Sequence, residues 1–230
     1  MINARALAAG ALGVVLATHA LQGQDRSRYR DYHLGGNLPS ISALTGVAVT
    51  EAKTIHLRPA LMQELLWKRP YSMSDATSQI DPVKQIVFSF YKDQLSKMVV
   101  DYDRNRTAGM TDADVIDAIS TEYGARLKPG AATTRGVVSP ASQDSGTAIA
   151  RWGDADFSLV LYRLSYESGL RIIVTSPPLE ALAHTADVQA RLLDEREAPA
   201  REIARQKKET DDALAAQEQA RLSNKAAFRP

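Results

Sequence analysis

Ile86-Val87-Phe88-Ser89-Phe90-Tyr91-Lys92-Asp93-Gln94-Leu95-Ser96-Lys97-Met98-Val99-Val100 is the stretch that decides the fold. Large apolar residues recur at alternate positions on both sides of Lys92-Asp93-Gln94, the pattern of two half-buried strands joined by a tight turn. Upstream, Gln63-Glu64-Leu65-Leu66-Trp67 reads as a strand that pairs with this hairpin. Downstream the same order returns: Thr147 to Trp152, then Phe157 to Tyr166, a Glu167-Ser168-Gly169 turn, and Leu170 to Val174. Such alternation suits antiparallel strands with one face buried.

Each strand group follows a short helix. Leu34-Gly35-Gly36-Asn37-Leu38 leads through a glycine turn and an N-cap into an amphipathic segment that closes at Gly46. Gly109-Met110-Thr111 opens a second helix, with Thr111 as N-cap and acidic residues in the first turn, where the helix dipole favours them. Val115, Ile116, Ile119 and Tyr123 fall on one face of it before Gly124 ends it. Two helix-then-three-strand units, about residues 32–103 and 108–177, are therefore expected to form one tandem α+β domain over 32–178, with helices covering a sheet. Trp67 with Trp152, Tyr91 with Tyr162, and Leu95 with Leu170 set the expected register between the units.

Gly109-Met110-Thr111, Val115 in the helix and the closing Gly124 resemble the opening of the BamE (SmpA/OmlA) family of outer-membrane assembly lipoproteins. The hairpin after each helix fits as well, and a tandem of such units is similar to the β-lactamase inhibitor protein-like architecture. The resemblance implies a non-catalytic domain that works by binding another macromolecule. The alternatives are an inhibitor of an extracellular enzyme and a periplasmic enzyme of unrecognised type. Members of that family are anchored through a lipidated cysteine, and this chain has none.

The first twenty residues read as an export signal. Arg5 supplies the positive start, Ala6 to Ala17 is an uninterrupted run of Ala, Leu, Val and Gly, and Thr18-His19-Ala20 ends in small residues. The apolar run is too short to cross a bilayer core of ~30 Å. No later segment is long and apolar enough, so neither a transmembrane span nor a lipid anchor is expected. Residues 21–31 form a polar leader, and the chain is expected in the periplasm or outside the cell. Its partner is then another envelope or secreted protein. A net charge of +1 argues against nucleic acid, which asks for a basic excess.

Catalytic and cofactor signals are weak. His19, His33, His56 and His184 are far apart, and no phosphate loop, nucleophile elbow or dinucleotide fingerprint occurs, so no cofactor is expected. Asp101, Asp103, Asn105 and Asp112 have the spacing of calcium-loop oxygens. Arg106 stands where the sharp turn of such a loop wants glycine, and ordinary turn and capping chemistry explains the same residues. Tyr29, Arg30, Tyr32, Tyr91 and Tyr102 offer either an amphipathic binding surface or sheet tyrosines with satisfied hydroxyls. The binding residues expected from the repeat are Trp67, Tyr91, Trp152 and Tyr162, on the open face of the sheet.

After Pro177-Pro178 the chain becomes a charged, Ala-rich helical tail over 179–230. Leu179, Leu182, Val188, Leu192 and Leu193 have the spacing to dock it on the domain. Pro199 is expected to kink or restart the helix.

Overall fold

The computed structural model describes residues 27–70, 81–128, 146–165 and 169–229. The stretch read as an export signal, the segments 71–80 and 129–145, and residues 166–168 at the expected Glu167-Ser168-Gly169 turn lie outside the described residues. The protein is α+β, with a seven-stranded antiparallel sheet, a two-stranded hairpin and a long C-terminal helix.

In chain order the elements are β1 (Arg28–Tyr29), β2 (Tyr32–His33), α1 (Leu38–Thr45), β3 (Lys53–His56), β4 (Met62–Lys68), β5 (Val83–Tyr91) and β6 (Gln94–Tyr102). There follow α2 (Asp112–Tyr123), β7 (Thr147–Gly153), β8 (Ser158–Arg163), β9 (Leu170–Thr175) and α3 (Pro177–Ala227). The large sheet runs β3-β4-β5-β6-β9-β8-β7. Two meanders therefore meet at a β6–β9 seam, each having a short helix before it in the chain.

The deciding hairpin forms around Lys92 and Asp93, both at positive φ (48° and 64°), the backbone of a two-residue turn whose twist matches the strands. Asp93 also accepts the Leu38 amide at 3.0 Å and so ties the start of α1 to the hairpin. Asn37 caps α1 by accepting the Ser40 amide at 2.9 Å. α2 begins with a full capping box: Thr111 accepts the Asp114 amide, and Asp114 accepts the Thr111 amide at 2.8 Å. At the β7–β8 turn Gly153 has φ 140°, and a Cβ there would lie 2.2 Å from the Phe157 carbonyl oxygen, so only glycine fits.

Register builds the core. Leu65, Phe88, Met98, Val174, Leu159 and Trp152 align in one row across six strands. Trp67, Ile86, Val100, Ile172, Leu161 and Ala150 form the next row on the same face. Every member is buried except Trp67, which packs partly buried against the rest. Burial of each large side chain of this kind contributes roughly 1.5–3 kcal/mol. Leu38 and Ile41 of α1 and Val115, Ile119 and Tyr123 of α2 join the same cluster.

The β1–β2 hairpin also belongs to this core, which moves the start of the domain earlier than residue 32. Tyr29 is 5 % exposed, and Tyr32 meets Phe88 edge-on with ring centroids 4.8 Å apart. The reason is that Tyr29 and Tyr32 supply apolar rings from a segment that is otherwise polar, a signal too short for periodicity to register.

α3 lies against the opposite face of the sheet, over β6 and β5. It runs unbroken through Pro199. No helix among the described residues is long and apolar enough to cross a membrane.

Candidate functional site

α3 divides into two parts. From Leu179 to Glu197 a stripe at alternating steps of four and three faces the sheet: Leu179, Ala183, Ala186, Ala190, Leu193 and Glu197. The three alanines are 5 %, 4 % and 2 % exposed. Alanine brings the helix close to the strands, so the docking residues differ from those expected from size. Leu182, Val188 and Leu192, read from the sequence as docking positions, point to solvent at 52 %, 44 % and 56 % exposure.

Charges flank this stripe. Glu180, Asp187 and Asp194 are seven positions apart and share one side of the helix. Lys97 Nζ of β6 donates to Glu180 Oε1 at 3.2 Å, and His56 Nε2 of β3 lies 3.2 Å from Asp187 Oδ1. Asp194 lies 4.0 Å from His56 Nδ1, and Arg58 donates to Glu197 at 2.8 Å. Of these sheet-side partners the sequence reading named only His56, as a histidine far from the others. The acidic heptad beside the alanine stripe is the signal that would have found them.

Beyond Glu197 every residue of α3 is exposed. Residues 198–227 extend about 45 Å at the helical rise of ~1.5 Å per residue. Their described ion pairs stay within the helix: Arg205 donates to Glu202 and Glu209, and Arg221 to Glu218. The free half is a charged rod with Ile203, Leu214 and Leu222 as its large apolar residues, at 68 %, 59 % and 53 % exposure.

The residues expected to bind do not come together. Trp152 is 1 % exposed and donates through Nε1 to Ser120 Oγ at 3.2 Å, a core tryptophan with its polar atom satisfied. Trp67 lies on the same face, the one that α1 and α2 pack on, whereas alternation puts Tyr91 and Tyr162 on the face that carries α3, both half-buried. The open-face surface expected of the two tryptophans is thus replaced by packing, because their register matches Leu65 and Leu159 on the core side. Lys92 Nζ sits 5.5 Å from the centre of the Tyr91 ring.

The calcium spacing is broken up by arginines. Asp101 is 7 % exposed and accepts from Arg171 Nε at 2.5 Å and from Gln85 at 2.8 Å. Asp103 accepts from Arg69 at 2.5 Å and caps its own turn at the Asn105 amide, 3.0 Å away. Asp112 pairs with Arg163. Three carboxylates with three different cationic partners are not gathered round one point, and Asn105 is exposed. Among the described residues no group of three or more His, Cys, Asp or Glu is placed to hold a metal ion.

Tyr29, Arg30 and Tyr102 do meet, at the end of the sheet. The Tyr29 and Tyr102 hydroxyls are 3.0 Å apart, and burial raises both phenols above their ordinary range. Arg30 stands over the Tyr29 ring at 5.6 Å and donates twice to Asp81, at 2.8 and 2.7 Å. Those bonds hold the Asp81 carboxyl below the usual carboxylate range. Arg69, which also donates to the Asp81 carbonyl at 2.7 Å, does the same for Asp103. Tyr123 donates to the Arg28 carbonyl at 3.1 Å and stacks on Phe157, with ring centroids 5.7 Å apart. Every hydroxyl and carboxylate in this cluster has a partner, so it locks the β1–β2 hairpin to the sheet.

Comparison with family models, with curated proteins and with solved structures finds no match to this chain.

Proposed function

We propose that this protein is an exported binding or scaffolding protein of the cell envelope, in which the sheet domain holds out the free half of α3 to meet a partner. The observation that carries this reading is the exposure of all of residues 198–227 on a helix rooted in the domain. A domain that needed this helix only for its own stability would bury a face of it along its length.

The sheet order supports the tandem BamE-like reading, since a four-strand meander (β3 to β6) and a three-strand one (β7 to β9), each with a helix before it in the chain, abut at β6–β9. Trp67 and Trp152 support it too, at opposite ends of adjacent core rows. The export assignment rests on the first twenty residues.

The test is capture of partners from the native envelope fraction with the intact chain and with a chain ending at residue 197. Loss of a specific envelope partner on truncation is the expected result. Retention of that partner would place binding on the sheet domain and overturn the role given to the helix. A soluble hydrolase retained by the truncated chain would favour the inhibitor reading instead.

A further inference from the structure

We infer that the partner of the free half is a second copy of this chain, packed antiparallel on it through a stripe centred between Lys208 and Glu209. This deepens the reading of the free half as a docking element and rests on it.

The stripe is set by spacing. Leu192, Ile203 and Leu214 are eleven positions apart, and all three are exposed, at 56 %, 68 % and 59 %. Eleven residues are close to three helical turns, so these side chains form a row almost parallel to the helix axis. The row is rotated away from the alanines that face the sheet, so a neighbour on it does not collide with the domain.

Charge then selects orientation and register. Around the row lie Lys207 and Asp211 on one flank and Gln206 and Thr210 on the other. Arg205 is turned to the far side, occupied with Glu202 and Glu209. Lys207 and Asp211 make no ion pair among the described residues, although they are four apart on one helix. In a parallel, in-register pair each of these charges would meet its own copy. In the antiparallel pair Ile203 faces Leu214 of the second copy, and Leu214 faces Ile203. Lys207 then falls beside the Asp211 of the other chain, twice by symmetry, and Gln206 beside Thr210. The contact is isologous and closes as a two-fold dimer. With only two large apolar layers it belongs with the weak, reversible interfaces.

The chain has no cysteine, which makes orientation directly readable. Ile203→Cys and Leu214→Cys are introduced in separate intact chains, mixed and oxidised. The expected product is the mixed disulfide dimer, with little of either homodimer, because in this register each position is about 16 Å along the axis from its own copy. Homodimers dominating the products would overturn the antiparallel register. Sedimentation equilibrium of the cysteine-free chain is expected to show a monomer–dimer equilibrium, and a monomer at every concentration would overturn the proposal outright. Lys207→Asp is expected to weaken the dimer about tenfold, as is Asp211→Lys, while the double exchange restores it. Failure of the exchange to restore dimerisation would remove the assigned register. If the intact chain is monomeric yet loses an envelope partner on truncation at residue 197, only the identity of the partner is wrong. If truncation changes neither property, the reading of the helix itself falls.

Discussion

The two halves of α3 are one uninterrupted helix held by different physics. Residues 177–197 bury an alanine stripe on the sheet and send their charges across to it, Glu180 to Lys97, Asp187 to His56 and Glu197 to Arg58. Residues 198–227 bury nothing and, in the ion pairs described, keep them within the helix, as in Arg205 with Glu202 and Glu209. Pairs of that second kind contribute a few tenths of a kcal/mol each, whereas packing couples the first half to the whole sheet. The docked half therefore unfolds with the domain, and the free half melts on its own.

The sharpest way to break this contrast is Ala186→Arg. Ala186 is 4 % exposed, and a guanidinium at that position must lift the helix or be buried without a partner. The expected cost is about 3 kcal/mol, read as a fall in the domain's Tm together with faster amide exchange over 177–197. Exchange over 198–227 should not change. A Tm equal to that of the parent would mean that the docked half is no part of the cooperative unit.

Acid and salt sharpen the contrast at a smaller scale. Asp81 and Asp103 are held below the usual carboxylate range by Arg30 and Arg69, and Glu202 and Glu218 by Arg205 and Arg221. A carboxyl lowered in the folded state stabilises it fully above its unfolded value of about 4, and that contribution is lost as pH falls through the folded value. Both regions should thus weaken below about pH 4. Salt separates them: the exposed pairs of the free half are screened at about 1 M, so its helical signal falls even at pH 7. The domain, followed by urea unfolding at pH 6 and pH 3, should keep its acid sensitivity in the same salt. Equal response of both regions to salt would erase the distinction.

The smallest expected effect is the most telling for the free half. Ending the chain at residue 197 removes no residue that contacts the sheet, so the domain's unfolding free energy should stay within about 0.5 kcal/mol of the parent. A larger loss, measured by denaturant unfolding, would show that the free half supports the domain.

The strands of the deciding hairpin, both short helices and the Thr111 cap were legible because alternation, helical spacing and capping chemistry are local and repeat several times. β1, β2 and β3 were not, since strands of two to four residues carry too little pattern to stand out. The helix interface was misread for a different reason. Size pointed to Leu182, Val188 and Leu192, but a helix lying close on a sheet buries small residues, and the large ones are pushed outward. Trp152 was misplaced likewise: its type suggested a contact surface, and only register reveals that it shares a face with Leu159. The partners of the calcium-spaced carboxylates were not legible, because one-dimensional distance does not reveal Arg171, Arg69 and Arg163, each brought in from a remote strand or strand end.

The short link between β9 and α3 gives the molecule a mechanical order. Only Ser176 separates the two elements, and its amide is pinned to the Ser96 carbonyl at 2.9 Å. A pull on the tip of the helix first loads the Arg58–Glu197 contact and peels the rod off the sheet turn by turn toward Lys97. Tension reaches β9 only when that path is exhausted, and β9 is gripped by ladders to β6 and β8 on both sides. The docked half thus lies in series between the tip and a strand held on both of its edges.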